Sequence, residues 1–208
     1  MRTHPHGRDY IPDPRDRNHP MAAPRSERRA RHWRLGPVTD QVGPTCVGHA
    51  WWNWFASSPI RQRPISPLGI YRLSQQFDEW DGTGYDGTSV RGGAKALQIA
   101  DKIVEYHWAF DADTAVAHVL EVGPVVLGVN WYASMDWPDL EGFMTIRRRR
   151  TTAGHALLMY GVDMRRGFAS LRNSWGESWG LGGNARLALE DLELLLSEDG
   201  ECCAAVEK

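Results

Sequence analysis

Two regimes of apolar spacing divide this 208-residue chain. Between Cys46 and Val122 hydrophobic side chains recur at helical intervals, whereas beyond Val125 they come in short runs bounded by glycine. Val47, Ala50, Trp51 and Trp54 predict a first helix from Cys46 to about Ser57, preceded by a Gly43-Pro44 loop and an N-cap at Thr45. Ser66-Pro67 opens a second helix, N-cap followed by proline at N1, with Ile70, Leu73 and Phe77 on one face. After the loop Asp81 to Gly87, Thr88 or Ser89 caps a third helix that carries Ala94 and Leu97 to about Ala100. A fourth, Thr114 to Val122, stops at Gly123-Pro124.

The second regime predicts strands. Val125 to Trp131 is valine-rich and too short for a helix, and Phe143 to Ile146, His155 to Val162, Phe168 to Arg172 and Asn184 to Leu189 follow it. Asp191 to Leu196 adds a helical turn. Helices first and sheet second predict an α+β fold of two lobes, helical over about 40–122 and β over about 123–200, with a cleft between them. Residues 1–34 scatter Pro5, Pro12, Pro14, Pro20 and Pro24 among charges, so no continuous helix fits; an extended arm, open to disorder, is expected ahead of one domain over 35–208.

Charge sharpens this division. The net formal charge is −2, with no overall bias towards nucleic acid, yet residues 1–34 carry nine arginines against Asp9, Asp13, Asp16 and Glu27. A basic arm on an acidic body suits contact with that body, with phosphate or with an acidic partner. Arg147-Arg148-Arg149-Arg150 lies between two expected strands, where a solvated hairpin loop is the simpler reading and nucleic-acid binding is not expected. No apolar run spans a bilayer and no hydrophobic leader follows Met1, so no membrane partner is expected. Cys46, Cys202 and Cys203 form no disulfide framework, which points to a reducing cytoplasm.

One cysteine stands where a loop becomes a helix. At N1, Cys46 faces unpaired backbone N–H groups and the positive end of the helix dipole, both of which favour the thiolate. A lone cysteine there is also consistent with a small buried hydrophobe, so a base must be found elsewhere. His4, His6, His19 and His32 lie in the arm, His107 and His118 have no motif, and His49 shares the helix of Cys46. His155, opening a strand after Thr151-Thr152-Ala153-Gly154, is the better base. Asn173 ends the strand expected to pair with it through the turn at Arg165-Arg166-Gly167, which brings a neutral amide oxygen to the imidazole, and Trp175 is placed to shield that bond.

Asp40-Gln41 with Cys46, Gly154-His155-Ala156 leading to Gly161-Val162-Asp163, and Arg172-Asn173-Ser174-Trp175-Gly176 resemble the papain family of cysteine peptidases, in a compact bacterial or phage form. The weaker Gly87-Thr88-Ser89 and Gly123-Pro124-Val125-Val126 segments are similar too. The resemblance implies a papain-like two-lobe fold, with a C-terminal antiparallel sheet or barrel, and a virion as the alternative location. It implies Cys46 as nucleophile, His155 as general base and acid, Asn173 as orienting residue, and Gln41 with the Cys46 N–H as oxyanion donors. Gln41 stands one residue closer to the cysteine than is usual in the family, and the histidine follows after 109 residues rather than roughly 130 to 150. Gly87, Thr88 and Ser89 match a segment that pairs with substrate backbone. Gly128 and Ala156 match small residues lining a side-chain pocket, which implies a bulky apolar substrate residue.

The expected activity is hydrolysis of a peptide or protein substrate through a thioester, with no cofactor. A zinc site from Cys46, His49, Cys202 and Cys203 is set aside, because vicinal cysteines rarely ligate one tetrahedral ion. Two alternatives remain: a catalytically silent papain-like binding or structural module, and acyl or amide transfer by the same triad.

Overall fold

The computed structural model describes residues 4–63, 65–148 and 151–208, and only the backbone of residues 151–152. Its elements are β1 (Ala30–His32), α1 (Cys46–Ala56), α2 (Pro67–Ser74), α3 (Val90–Ile99), β2 (Ile103–Ala109), α4 (Ala112–Glu121), β3 (Val125–Tyr132), β4 (Thr151–Asp163), β5 (Phe168–Arg172), β6 (Asn184–Ala188), α5 (Leu189–Ser197) and β7 (Glu201–Glu207). The helices begin where their caps place them. Ser66 Oγ accepts from Gly69 N–H, Ser89 Oγ from Gly92 N–H and Asp111 Oδ1 from Thr114 N–H. Thr45 precedes α1 without capping it, its hydroxyl donating instead to the Val42 carbonyl.

Seven strands form one antiparallel sheet in the order β2-β7-β3-β4-β5-β6, with β1 added to β4. Alternation along β3 and β4 divides the core between the two faces. Val126, Ala156 and Leu158 pack with α1 and α3, while Val125, Leu127, Leu157 and Met159 pack with α4 and α5. Cys202 and Cys203, successive residues of β7, point to opposite sides of the sheet.

Two departures from the sequence-based expectations stand out. β2 and β7 were not anticipated; they pair with each other across about half the length of the chain, and β7 closes the sheet against β3. Phe143 to Ile146 is not a strand, only a single bridge from Phe143 to Arg186. The arm runs extended, but its described residues lie against the body: Pro20 bridges Trp108, β1 pairs with β4, and Trp33 Nε1 donates to the Val119 carbonyl at 2.7 Å. Backbone and aromatic partners supplied by the body offset the ordering cost that composition alone leaves uncovered. Of the four-arginine run, Arg149 and Arg150 lie outside the described residues, and Arg148 pairs with Glu198.

Candidate active site

Cys46 is the first residue of α1, and the close packing of that helix on β4 sets its sulfur beside the Ala156 N–H, one residue beyond His155. His155 projects from β4 among Trp131 and Trp175, whose ring centroids lie 4.8 and 4.6 Å from its own. Asn173 follows the end of β5, which pairs with β4 through the register Leu158 to Arg172. The histidine Nε2 and the asparagine Oδ1 are 2.7 Å apart and fully buried.

The protonation pattern follows from the second partner of that oxygen. Asn173 Oδ1 also accepts the Ser174 backbone N–H at 2.7 Å, which fixes the amide with its oxygen towards the imidazole. His155 Nε2 must then carry the proton and donate it. In the neutral ring this leaves Nδ1 as the basic nitrogen, and Nδ1 is buried with no hydrogen-bond partner among the described residues. An imidazole held by one nitrogen with the other unsatisfied is equipped to take a proton from a neighbouring thiol.

Gln41 is oriented in the same way. Its Oε1 accepts the Ser174 hydroxyl at 2.6 Å, and Nε2 is turned to donate to the carbonyls of Gly43 at 2.8 Å and Pro5 at 3.3 Å. Trp175 lies against His155 and also donates from Nε1 to the Pro5 carbonyl at 3.1 Å.

Pro5 belongs to the arm, and the arm fills the groove. Gly7 and Arg8 N–H groups both donate to the Gly154 carbonyl, at 3.2 and 3.1 Å, on the β side. On the helical side Thr88 N–H donates to the Gly7 carbonyl and Asp9 N–H to the Thr88 carbonyl, each at 3.0 Å. Of the three residues considered for backbone pairing, Thr88 makes these bonds. Gly87 sits at φ +102° against Asp9, and Ser89 serves as the cap of α3. His4 stacks on Trp175 at 4.3 Å, and His6 meets His155 edge-on at 5.5 Å. Beneath this cover both Cys46 and His155 have no exposed surface.

Burial governs the electrostatics. It pushes the Cys46 thiol up to about 12, against the smaller opposing pull of the Ala156 and Val47 N–H groups. The same desolvation takes His155 down to about 3, although its bond to Asn173 favours the charged ring. With the arm in place the pair is a neutral thiol and a neutral imidazole, not the thiolate that the position at N1 favours.

Sequence reasoning missed Arg8 and Glu201. Arg8 Nε donates to Glu201 Oε2 at 2.9 Å beneath the arm, and both residues are about 95% buried (4% and 5% exposed). Glu201 opens β7 directly opposite Gly128 of β3. Its signal was an acidic residue immediately before an apolar Cys-Cys-Ala-Ala-Val run, legible only once that run is known to be a strand. Gly128 and Ala156 are both buried; a Cβ on Gly128 would approach Arg8 Nε and Glu201 Oε2 to 3.0 Å.

Residues 79–201 match the family described as "Papain family cysteine protease". No curated protein matches the chain. Among solved structures it is similar to xylellain, a cysteine protease from Xylella fastidiosa, with a TM-score of 0.75 at 21% identity over 99% of this chain and 98% of that one. It is also similar to digestive procathepsin L 3 from the larval midgut of Tenebrio molitor, with a TM-score of 0.68 at 14% identity over 90% of this chain and 73% of that one. The bromelain protease from Ananas comosus, solved in complex with the E64 inhibitor, gives a TM-score of 0.64 at 14% identity over 87% of this chain and all of that one. At these identities the likeness is one of fold. Among the described residues no helix is long and apolar enough to cross a membrane.

Proposed function

The chain belongs to the papain family of cysteine proteases, and from that premise we propose that it hydrolyses peptide bonds with Cys46 as nucleophile, His155 as general base and acid, and Asn173 as the residue that orients the imidazole. The observation that carries this assignment is the 2.7 Å His155–Asn173 bond, which leaves Nδ1 without a hydrogen-bond partner among the described residues, together with the Cys46 sulfur held beside the N–H of Ala156, the residue next to His155.

In the first half-reaction the Cys46 proton passes to His155 Nδ1 while the sulfur bonds to the carbonyl carbon of the scissile peptide. The carbonyl oxygen becomes an oxyanion, with the Gln41 Nε2 and the Cys46 N–H as its donors. The tetrahedral intermediate collapses by breaking the C–N bond, and Nδ1 returns its proton to the leaving amine. In the second, Nδ1 takes a proton from water, whose oxygen attacks the thioester. The C–S bond then breaks and the proton returns to the thiol, leaving a carboxylic acid product that ionises in water.

Substrate reaches these atoms only when residues 5–9 leave the groove. The arm is therefore the resident occupant of the cleft: it takes the Thr88 and Gly154 backbone partners and loads the Gln41 donor through Pro5. Replacing Cys46 with Ala should abolish turnover of peptide substrates and labelling by an epoxide probe. Turnover that survives in that variant would refute the assignment.

A further inference from the structure

The arm reports on the pocket it fills. Arg8 leaves the extended backbone between Thr88 and Gly154 and enters a recess bounded by Val90 and Gly128, with Glu201 at its inner end. Its guanidinium makes two directed bonds there, from Nε to Glu201 Oε2 at 2.9 Å and from Nη2 to the Asp199 carbonyl at 2.5 Å. The recess exists because Gly128 has no side chain: a Cβ there would come within 3.0 Å of both Arg8 Nε and Glu201 Oε2, and 2.8 Å of Val90.

Glu201 is an unusual residue to find in such a place. Its carboxyl is enclosed, its Oε1 has no hydrogen-bond partner among the described residues, and burial pushes it up to about 7 even with Arg8 beside it. The other nearby cation, Arg91, is engaged by Asp16 and Glu79 and makes no hydrogen bond to Glu201. When the arm withdraws, the recess keeps the Glu201 carboxyl and loses the guanidinium that favours its charged form. A carboxylate sheltered from water is stabilised most by a ligand cation of matching shape. An apolar side chain would leave it desolvated and unpaired.

Resting on the proteolytic assignment above, we propose that Glu201 is a specificity-determining residue of this enzyme and that its substrates present an arginine side chain to the recess that Arg8 occupies. The position lies close to the chemistry, since the backbone of Arg8 bonds to Gly154, the neighbour of His155. Arginine is preferred over lysine because the fork spans both Glu201 and the Asp199 carbonyl, whereas an ammonium is a compact point charge. This replaces the apolar preference that the small residues Gly128 and Ala156 alone imply.

The test uses the full chain with Gly7→Ala, a change in the arm that leaves the recess intact, and the same chain with Glu201→Gln added. Both are profiled against a proteome-derived peptide library and then against matched peptides carrying Arg, Lys or Leu at the selected position. Arginine should be enriched at one fixed position within a few residues of the cut, with kcat/KM at least about tenfold above the Leu peptide. Glu201→Gln should reduce that preference about tenfold or more while the Leu peptide is still cut, which reports that the fold and triad are intact. Cleavage without an arginine preference, or with one that survives Glu201→Gln, overturns this proposal and leaves the proteolytic assignment standing. Binding of the same peptides to the Gly7→Ala, Cys46→Ala chain gives a readout without turnover: equal affinity for Arg and Leu peptides also overturns it. If no peptide is cut by the Gly7→Ala chain, the proteolytic assignment fails, and this proposal fails with it.

Discussion

Gly7→Ala isolates the arm's hold on the groove, because the substitution alters the arm and changes no residue of the body. Gly7 has φ +145°, a conformation that side-chain-bearing residues rarely adopt, and a Cβ there would stand 2.1 Å from the Pro44 oxygen and 2.5 Å from its carbon. Pro44 lies in the loop two residues before Cys46 and cannot yield without shifting the start of α1. Relief must come from the arm, which then loses the bonds of Gly7 and Arg8 to Gly154 and of Thr88 to Gly7. Backbone strain at such a position costs about 1–3 kcal/mol. As about 1.4 kcal/mol is tenfold in an equilibrium, the open fraction should rise roughly tenfold to hundredfold. The assay is the rate of Cys46 alkylation by excess iodoacetamide, followed by intact mass. The Cys46→Ala chain measures the background from buried Cys202 and Cys203. Alkylation should accelerate by about tenfold or more, and equal rates in the parent and a folded Gly7→Ala chain would refute the claim that the arm guards the thiol.

Two further outcomes follow from the site. Asn173→Ala removes the acceptor that holds the Nε2 proton; kcat should fall by about 10²–10⁴ with little change in KM, measured on peptides in the Gly7→Ala background. Acid should destabilise the protein through its buried histidines. Burial depresses His155 to about 3 and both His49 and His118 to about 4. The unfolded chain therefore binds protons first as pH falls below 6.5, and stability rises with pH across the window between those values and 6.5. Thermal unfolding should show Tm dropping steadily from pH 6.5 to 4, and a flat Tm there would contradict the neutral buried rings.

Legibility in the sequence tracked how local each signal was. α1 was placed to within a residue, because Gly43-Pro44 and the tryptophan spacing act within one or two helical turns. β5 has the expected limits, since it lies beside its partner across a short turn. β2 and β7 pair with each other over nearly a hundred residues, and β7 carries two alanines and two cysteines where a strand normally announces itself with branched or aromatic residues. Missing β7 concealed Glu201, because a residue at the start of an unrecognised strand cannot be placed opposite Gly128. Of the arm, the sequence shows only that prolines and arginines forbid a helix and that a basic segment suits contact with the body; its partners Thr88, Gly154, Trp108 and Trp175 are named by no local pattern.

The acid–base state of the pair shows two local effects in competition, and their sizes decide the outcome. A helix N-terminus favours an anion by about 0.3–2 kcal/mol, a unit or so of pKa at most. Full burial disfavours it by up to 3–5 units, and in the closed groove burial wins, with the thiol at about 12. Nothing in α1 need change for this balance to reverse. Withdrawing residues 5–9 readmits water to Cys46 and His155 and removes His6 from the imidazole edge, while the Val47 and Ala156 N–H groups stay beside the sulfur. The arm thus controls ionisation and access in one movement. It follows that the parent and the Gly7→Ala chain should share one pH dependence of alkylation around neutral pH and differ in rate, since both react through the same arm-open state. In that state alkylation should proceed below neutral pH, as expected for a thiolate paired with an imidazolium. Alkylation of the Gly7→Ala chain that rises only near the free-thiol range of about 8.5 would mean that withdrawing the arm uncovers the sulfur without ionising the pair.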